Sequence, residues 1–373
     1  MATALWIGAA LAWLGLAVSA ALSTWLLRRQ SPPRLDAWPA ISIIVSVRGR
    51  DAALADNLAA ALSVEYPAAC ELIVVADHAA DAAWAAVEVA QRTHPSVPLT
   101  RVVAGEAPSG WLPKTYSLAR ALEHATHAQL VFIEADVRLD AEVLARVVAG
   151  AHAAHVGAAY ACPVARGRGP AGRCDAAVTN FIALLAQPLL AALRIEPIAG
   201  ALWSTRREAL QAIGGFAAVA DRFADDAALA QAWRAHGYTL ACAGLPVRTV
   251  HGRMGWRACA LHQLRWLRTW RLTPGPARSL ALFFSPLAIG LLAVVLDPSH
   301  WRWLVLLYLV EVGLSLAIAR GLNRGRSSSR EAALTPLALL LEQVIAIVAL
   351  FGRRVTWAGR RYELLADGRF SRL

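Results

Sequence analysis

A chain of 373 residues that is 57% hydrophobic and only 17% charged is too apolar for a soluble protein of this length, unless part of it sits in lipid. A formal charge of +11 admits two polyanionic partners, nucleic acid and an anionic membrane surface. Much of the basic charge flanks apolar stretches (Arg28–Arg29, Arg320–Arg330, Arg353–Arg361), which favours the membrane and sets nucleic acid aside.

The run Ala4–Leu27 is long enough to span a bilayer. No basic residue precedes it and Arg28–Arg29 follow it, so the positive-inside rule puts the N-terminus outside and the next domain in the cytoplasm. The competing reading is a cleaved leader, because Val18-Ser19-Ala20 resembles a cleavage site. The missing basic flank before the run favours an uncleaved anchor over residues 1–30. Ser31-Pro32-Pro33 reads as a short stiff linker.

A soluble α/β pattern follows over 38–253. The β-branched runs Ile41–Val47, Glu71–Ala76, Leu99–Val103 and Gln129–Ile133 predict buried parallel strands. Helical stretches at Asp51–Ser63, Trp84–Gln91 and Thr115–His124 alternate with them. This alternation implies a parallel sheet covered on both faces, with ligands at the carboxyl ends of its strands. The segment 254–278 alternates Trp256, Leu261, Leu264, Trp266, Leu267 and Trp270 with Arg257, Arg265, Arg268 and Arg271, which predicts an amphipathic helix in the membrane interface. Apolar stretches Leu280–Leu296 and Trp301–Ala319 predict a transmembrane hairpin closed by Asp297-Pro298. Leu334–Phe351 completes the membrane segment 279–352. It carries Pro336, Glu342 and Gln343 and is followed by cytoplasmic-type arginines, so a re-entrant or interfacial placement is expected. Residues 353–373 form a basic cytoplasmic tail. Five cysteines, odd in number and without a CxxC pair, argue against a disulfide framework and fit a reducing compartment.

Several polar residues stand where such a sheet does chemistry. Asp77 closes the second strand, as an acceptor for a base or ribose or as a plain turn aspartate. Glu134-Ala135-Asp136 closes the fourth, and its two carboxylates can face a ribose and a divalent cation, although a helix cap serves as well. Asp225–Asp226 open a helix at Ala227–Ala235, either as a cap or with one of them serving as a general base. Lys114, beside Pro113, is a phosphate partner or a solvated lysine. Within His262-Gln263-Leu264-Arg265-Trp266, Arg265 offers a fork to a diphosphate and Trp266 a flat face, with membrane anchoring as the plainer role. The pairs His124/His127 and His152/His155 have helical spacing but no third ligand, so they read as surface histidines.

Taken in order, Asp77, Glu134–Asp136, Asp225–Asp226 and His262–Trp266 resemble the signature of the ceramide glucosyltransferase group of family-2 glycosyltransferases, which includes hopanoid-biosynthesis enzymes. The segment Pro197–Gly215, with Gly200, looks like the group's acceptor side, and Arg353–Leu364 looks similar to its C-terminal end. Glu134 departs from the usual Asp and His262 from Gln or Arg. The resemblance implies an α/β GT-A (nucleotide-diphospho-sugar transferase) domain with an N-terminal transmembrane anchor and C-terminal transmembrane or interfacial helices. It implies inverting transfer of a hexose or N-acetylhexosamine from a UDP-sugar to a lipid hydroxyl, at the cytoplasmic face of a bacterial inner membrane. Asp226 would be the base, and Asp136 and Glu134 would hold Mg²⁺ or Mn²⁺. Asp77, Lys114, Arg265 and Trp266 would bind the donor, with Asp225, Gly200 and His262 in supporting or acceptor-side places. A polyprenyl-phosphate glycosyltransferase, a short processive polysaccharide synthase and a degenerate scaffold are the alternatives.

Overall fold

The computed structural model describes residues 1–29, 35–94, 96–192, 194, 198–275, 285–323 and 329–373. The expected linker 31–33, residue 197, residues 280–284 and the core of the basic loop, 324–328, lie outside them.

The four apolar runs are strands: β1 (Ile41–Ser46), β2 (Cys70–Ala76), β3 (Leu99–Val103) and β4 (Gln129–Glu134). They pair in parallel in the order β3-β2-β1-β4. Their β-branched side chains alternate between the two faces, so each strand feeds two cores. Ile41, Ile43 and Val45 join one core and Ile44 joins the other. Helices α1 (Ala2–Arg29), α2 (Leu54–Leu62), α3 (Ala83–Thr93) and α4 (Pro113–Leu122) intervene in chain order, the last three covering the sheet.

Beyond β4 the chain leaves the big sheet for a small one through β5 (Val137–Arg138), then builds α5 (Ala141–His152), β6 (Val156–Ala161), β7 (Pro163–Arg168) and α6 (Gly169–Ala192). It continues through β8 (Leu202–Arg206), α7 (Arg207–Ala212), α8 (Asp225–Ala235), β9 (Thr239–Cys242) and β10 (Val247–Arg253). β8 is antiparallel to both β4 and β6, which gives a mixed seven-stranded sheet β3-β2-β1-β4-β8-β6-β9, flanked by the sheet β5-β10-β7. The Glu134–Asp136 triplet therefore sits at the fork between two sheets. Glu134 N–H donates to Ala201 O, and Asp136 O accepts from Val250 N–H at 2.7 Å.

The Trp/Arg stretch is helix α9 (Trp256–Leu272), as its spacing predicts. It is followed by α10 (Pro286–Leu296), α11 (Trp301–Asn323) and α12 (Ser329–Leu350). Among the described residues, three helices are long and apolar enough to cross a membrane: Ala2–Trp25, Pro298–Arg320 and Ser329–Leu350. α12 runs unbroken through Pro336. It packs Ala338 and Leu339 on Ala177 and Val178 of α6, and Ile345 and Ala349 on Leu267 of α9. Its other face leaves Leu337, Leu341, Val344, Ile347 and Val348 exposed.

The basic tail is folded. After Gly352, whose positive φ reverses the chain, β11 (Arg354–Trp357), β12 (Arg360–Leu364) and β13 (Phe370–Arg372) form an antiparallel meander. Alternate residues Val355, Tyr362 and Leu364 point inward onto Leu112, Phe223 and Leu272. Arg354 and Arg361 face outward while Arg360 turns in toward Asp77, and this density of arginines is why the segment reads as a charged tail.

Candidate active site

Three groups of side chains line the carboxyl edge of the parallel strands. Asp77 follows β2 and is nearly buried. Its Oδ1 accepts from Ser117 Oγ at 3.0 Å, and its Oδ2 faces Arg48 Nη1 at 3.1 Å and Arg360 Nη2 at 3.5 Å. Ser117 comes from α4, Arg48 from the turn after β1 and Arg360 from the C-terminal meander. Two guanidinium groups share one carboxylate, so the pocket keeps a net positive charge and suits an anionic nucleotide.

One strand separates β2 from β4, so Glu134 lies roughly 10 Å from Asp77 along the same edge. Glu134 Oε1 meets Lys114 Nζ at 2.5 Å, and the same ammonium reaches Asp225 Oδ2 at 3.2 Å. Pro113 at the first position of α4 fixes the turn from which Lys114 projects. Asp225 and Asp226 open α8, where Asp226 Oδ1 accepts from Ala227 N–H at 2.7 Å. Gly200 abuts both acids. A Cβ there would lie 3.4 Å from Asp226 Oδ2 and 3.8 Å from Glu134 Oε1.

This crowding sets the proton affinities. Burial, then the neighbouring Asp225 carboxylate, pushes Asp226 up to about 6, with Lys114 restraining the rise. Burial also raises Glu134, against the pull of Lys114. Burial alone would strip the Lys114 ammonium of its proton, but Asp225, Glu134 and Asp226 hold it firmly charged. Arg265, on α9, is lowered to about 10 by burial, while Glu134, Asp175, Asp226 and Asp225 counter the loss. It remains a cation at neutral pH, aimed at the acid cluster.

Asp136 makes a different pair. Its Oδ2 lies 3.0 Å from His251 Nε2, on β10. Burial disfavours the charged ring, but the hydrogen bond and charge of Asp136, with Asp175 and Asp51, push it up to about 9. Among the described residues no three His, Cys, Asp or Glu side chains gather to hold a cation unaided. Asp136 and His251 offer an oxygen and, once the ring has given up its proton, an imidazole, which suit Mn²⁺ or Mg²⁺ when phosphate oxygens and water complete the shell. Glu134, expected beside Asp136 on the metal, is instead engaged by Lys114.

The remaining expected residues sit on α9. Buried Asp175 of α6 accepts from His262 Nδ1–H and Gln263 Nε2–H, both at 2.7 Å. These bonds fix the helix against the domain. Trp266 packs tilted on His262, with ring centroids 4.9 Å apart. Lys114, Glu134, Asp225, Asp226, Gly200 and Arg265 are therefore brought together. Asp77 lies in its own pocket along the edge, and His262 is turned to Asp175. Sequence reasoning missed Arg48, His251, Asp175 and Arg360, whose partners are far away in the chain. The one available signal was the period-2 pattern of 354–364.

The family model for glycosyl transferase family 21 matches residues 5–370. The chain belongs to glycosyl transferase family 21. That family includes ceramide glucosyltransferase, so the ceramide glucosyltransferase part of the expectation stands, under number 21 where the motif resemblance pointed to family 2. This family-21 chain is a glycosyltransferase enzyme. No curated protein matches it. Among solved structures it is similar to the mannosyltransferase PcManGT from Pyrobaculum calidifontis in complex with GDP-Man and Mn²⁺, at 20% identity and a TM-score of 0.51, over 93% of this chain and 99% of that one. It also matches glucosyl-3-phosphoglycerate synthase from Mycobacterium tuberculosis in complex with Mg²⁺ and UDP, at 16% identity and a TM-score of 0.37, over 58% of this chain and 72% of that one. The first likeness shows the fold, a GT-A α/β domain.

Proposed function

We propose that the protein transfers a hexose or N-acetylhexosamine from a UDP-sugar to a lipid hydroxyl of ceramide or hopanoid type, with inversion, at the cytoplasmic face of a bacterial inner membrane. The observation that carries this reading is Asp226. It is a half-buried carboxylate at a helix start with its proton affinity raised to about 6, and it lies against Gly200 beside a Lys114-bridged pair of acids. Such a group is mostly ionised at neutral pH yet basic enough to take a hydroxyl proton.

In this mechanism the acceptor hydroxyl enters beside Gly200. Asp226 removes its proton as the oxygen attacks the anomeric carbon, and the bond from that carbon to the diphosphate breaks on the opposite face. Arg265 meets the negative charge released on the leaving diphosphate, and Lys114 balances the acids around the base. Asp77, with Arg48, Ser117 and Arg360, binds the nucleoside end. Asp136 and His251 would hold a divalent cation, which when bound neutralises the diphosphate.

Contacts of the membrane helices support this placement. Ile318, near the end of α11, packs with Val164 of β7 and Ala20 of α1. The chain beyond α12 returns to the catalytic domain, where Arg360 reaches Asp77. The chain before α12 and the chain after it thus both lie beside the same domain, which supports an interfacial helix with its apolar face in the lipid, and α1 and the hairpin of α10 and α11 as the crossing segments.

The test is UDP release from a panel of UDP-sugars, with GDP-mannose as a comparison, in the presence of membrane lipid extracts. The reading expects a single-sugar lipid product from a UDP donor. Release without a glycolipid, or a polymeric product, would refute it.

A further inference from the structure

Outside the catalytic edge, a cavity of about 690 Å³ opens where α9, the end of α12 and the meander meet. Arg268, Arg271, Arg353 and Arg354 line it, together with Leu350 and a single carboxylate, Glu363. Two of these arginines are built into the wall. Arg268 donates to the carbonyls of Phe351 (2.8 Å) and Arg354, and Arg271 donates to Gly352 O at 2.6 Å. These carbonyls belong to the exit from α12, where a helix leaves acceptors unsatisfied. The Nε atoms of Arg268 and Arg271 remain buried without an acceptor. Burial, and then the neighbouring Arg271, lowers the proton affinity of Arg268; burial and Arg353 do the same to Arg271. Like charges are held together with too little negative charge between them.

The surroundings say which anion fits. Leu350, Phe351, Ile347 and Val348 are exposed beside the cavity mouth, Phe351 by 71%. A ligand here meets guanidinium forks at one end and bare apolar surface at the other. Planar guanidinium groups match the oxygens of a phosphate, and the apolar strip matches acyl chains. We propose that this cavity binds the phosphate of an anionic phospholipid headgroup, with its acyl chains lying along the exposed face at the end of α12. The proposal rests on the interfacial placement of α9 and α12 but not on the transfer chemistry. Occupancy would fix the end of α12, and with it the meander that carries Arg360 to the donor pocket.

The test uses the full-length protein in neutral detergent, incubated with phosphatidylglycerol or phosphatidylcholine and examined by native mass spectrometry for retained lipid. Arg353→Gln and Arg354→Gln serve as variants, since both side chains are exposed. The expected result is selective retention of phosphatidylglycerol, weakened roughly fivefold by each substitution, with inorganic phosphate unable to displace it. Equal retention of both lipids, or undiminished retention by the double variant, would overturn the proposal. Displacement by inorganic phosphate would assign the cavity to a free anion and overturn the lipid assignment. Retention is read without turnover, so failure here leaves the catalytic reading standing, and an inactive protein that still retains phosphatidylglycerol separates the two.

Discussion

Lys114 Nζ lies 2.5 Å from Glu134 Oε1, which makes a lysine from the first turn of a helix the direct partner of the acid that closes the fourth strand. Because the same ammonium also holds Asp225, it ties an acid of β4 to an acid of α8, with Asp226 beside them. Replacing it by Met leaves carboxylates facing each other with only Arg265 nearby. Lys114→Met is expected to lower stability by about 2 kcal/mol, less than a fully buried pair because Glu134 keeps 36% of its side chain exposed. It should also raise the proton affinity of Asp226, moving the acid limb of the pH–rate profile upward. Thermal melts and pH profiles of Lys114→Met, Glu134→Gln and the double variant check this, with the pair effects non-additive.

Arg360 reaches Asp77, and with it the proposed donor pocket, from the far end of the chain. Arg360→Ala is expected to raise the donor KM about tenfold, the scale of one charged contact, with kcat changed little. Titration of UDP onto the variant measures it directly. Arg48→Ala should act in the same direction, since both guanidinium groups converge on Asp77.

Chelation by EDTA is expected to abolish transfer, with recovery on adding Mn²⁺ or Mg²⁺. His251→Ala should demand about ten- to a hundredfold more cation for half-maximal rate, while Glu134→Gln should shift that requirement far less, because Glu134 is paired with Lys114. Metal titrations of the two variants side by side read the difference.

The apolar helix α12 is long enough to cross a bilayer, yet its last turns pack on α9 and the chain beyond it returns to Asp77 through Arg360. A cysteine at position 361, which is exposed, should react with a membrane-impermeant reagent only from the side that bears the catalytic domain. Labelling only from the opposite side would require α12 to cross.

Much of this site was legible because its acids lie at the ends of strands that announce themselves. Asp77 and Glu134 follow apolar β-branched runs, so their place on the carboxyl edge could be read from neighbouring residues alone. Asp225–Asp226 were legible for a similar local reason, as the acidic opening of a helix. What was not legible depends on chain return. Arg48, His251, Asp175 and Arg360 acquire their roles only through partners brought by other elements, and no local pattern marks them. The meander 354–372 was hidden by its own arginines: the alternation of exposed Arg354 and Arg361 with inward Val355, Tyr362 and Leu364 is a strand signal, but the charge density read as a tail. Likewise the ExD triplet looked like a paired metal site, whereas the fork between two sheets sends Glu134 toward Lys114 and Asp136 toward His251.

The central claim is that Asp226 is the base. Its folded-state proton affinity is raised above the ordinary aspartate value, so it is ionised and competent above pH about 6 and loses competence tenfold per unit below. The decisive measurement is transfer by Asp226→Asn compared with the native enzyme across pH, alongside UDP binding by the same variant. The account predicts a loss of at least about a hundredfold in kcat, no remaining acid limb near pH 6, and UDP affinity close to native. Near-native turnover by Asp226→Asn, or the same limb persisting in it, would contradict the account.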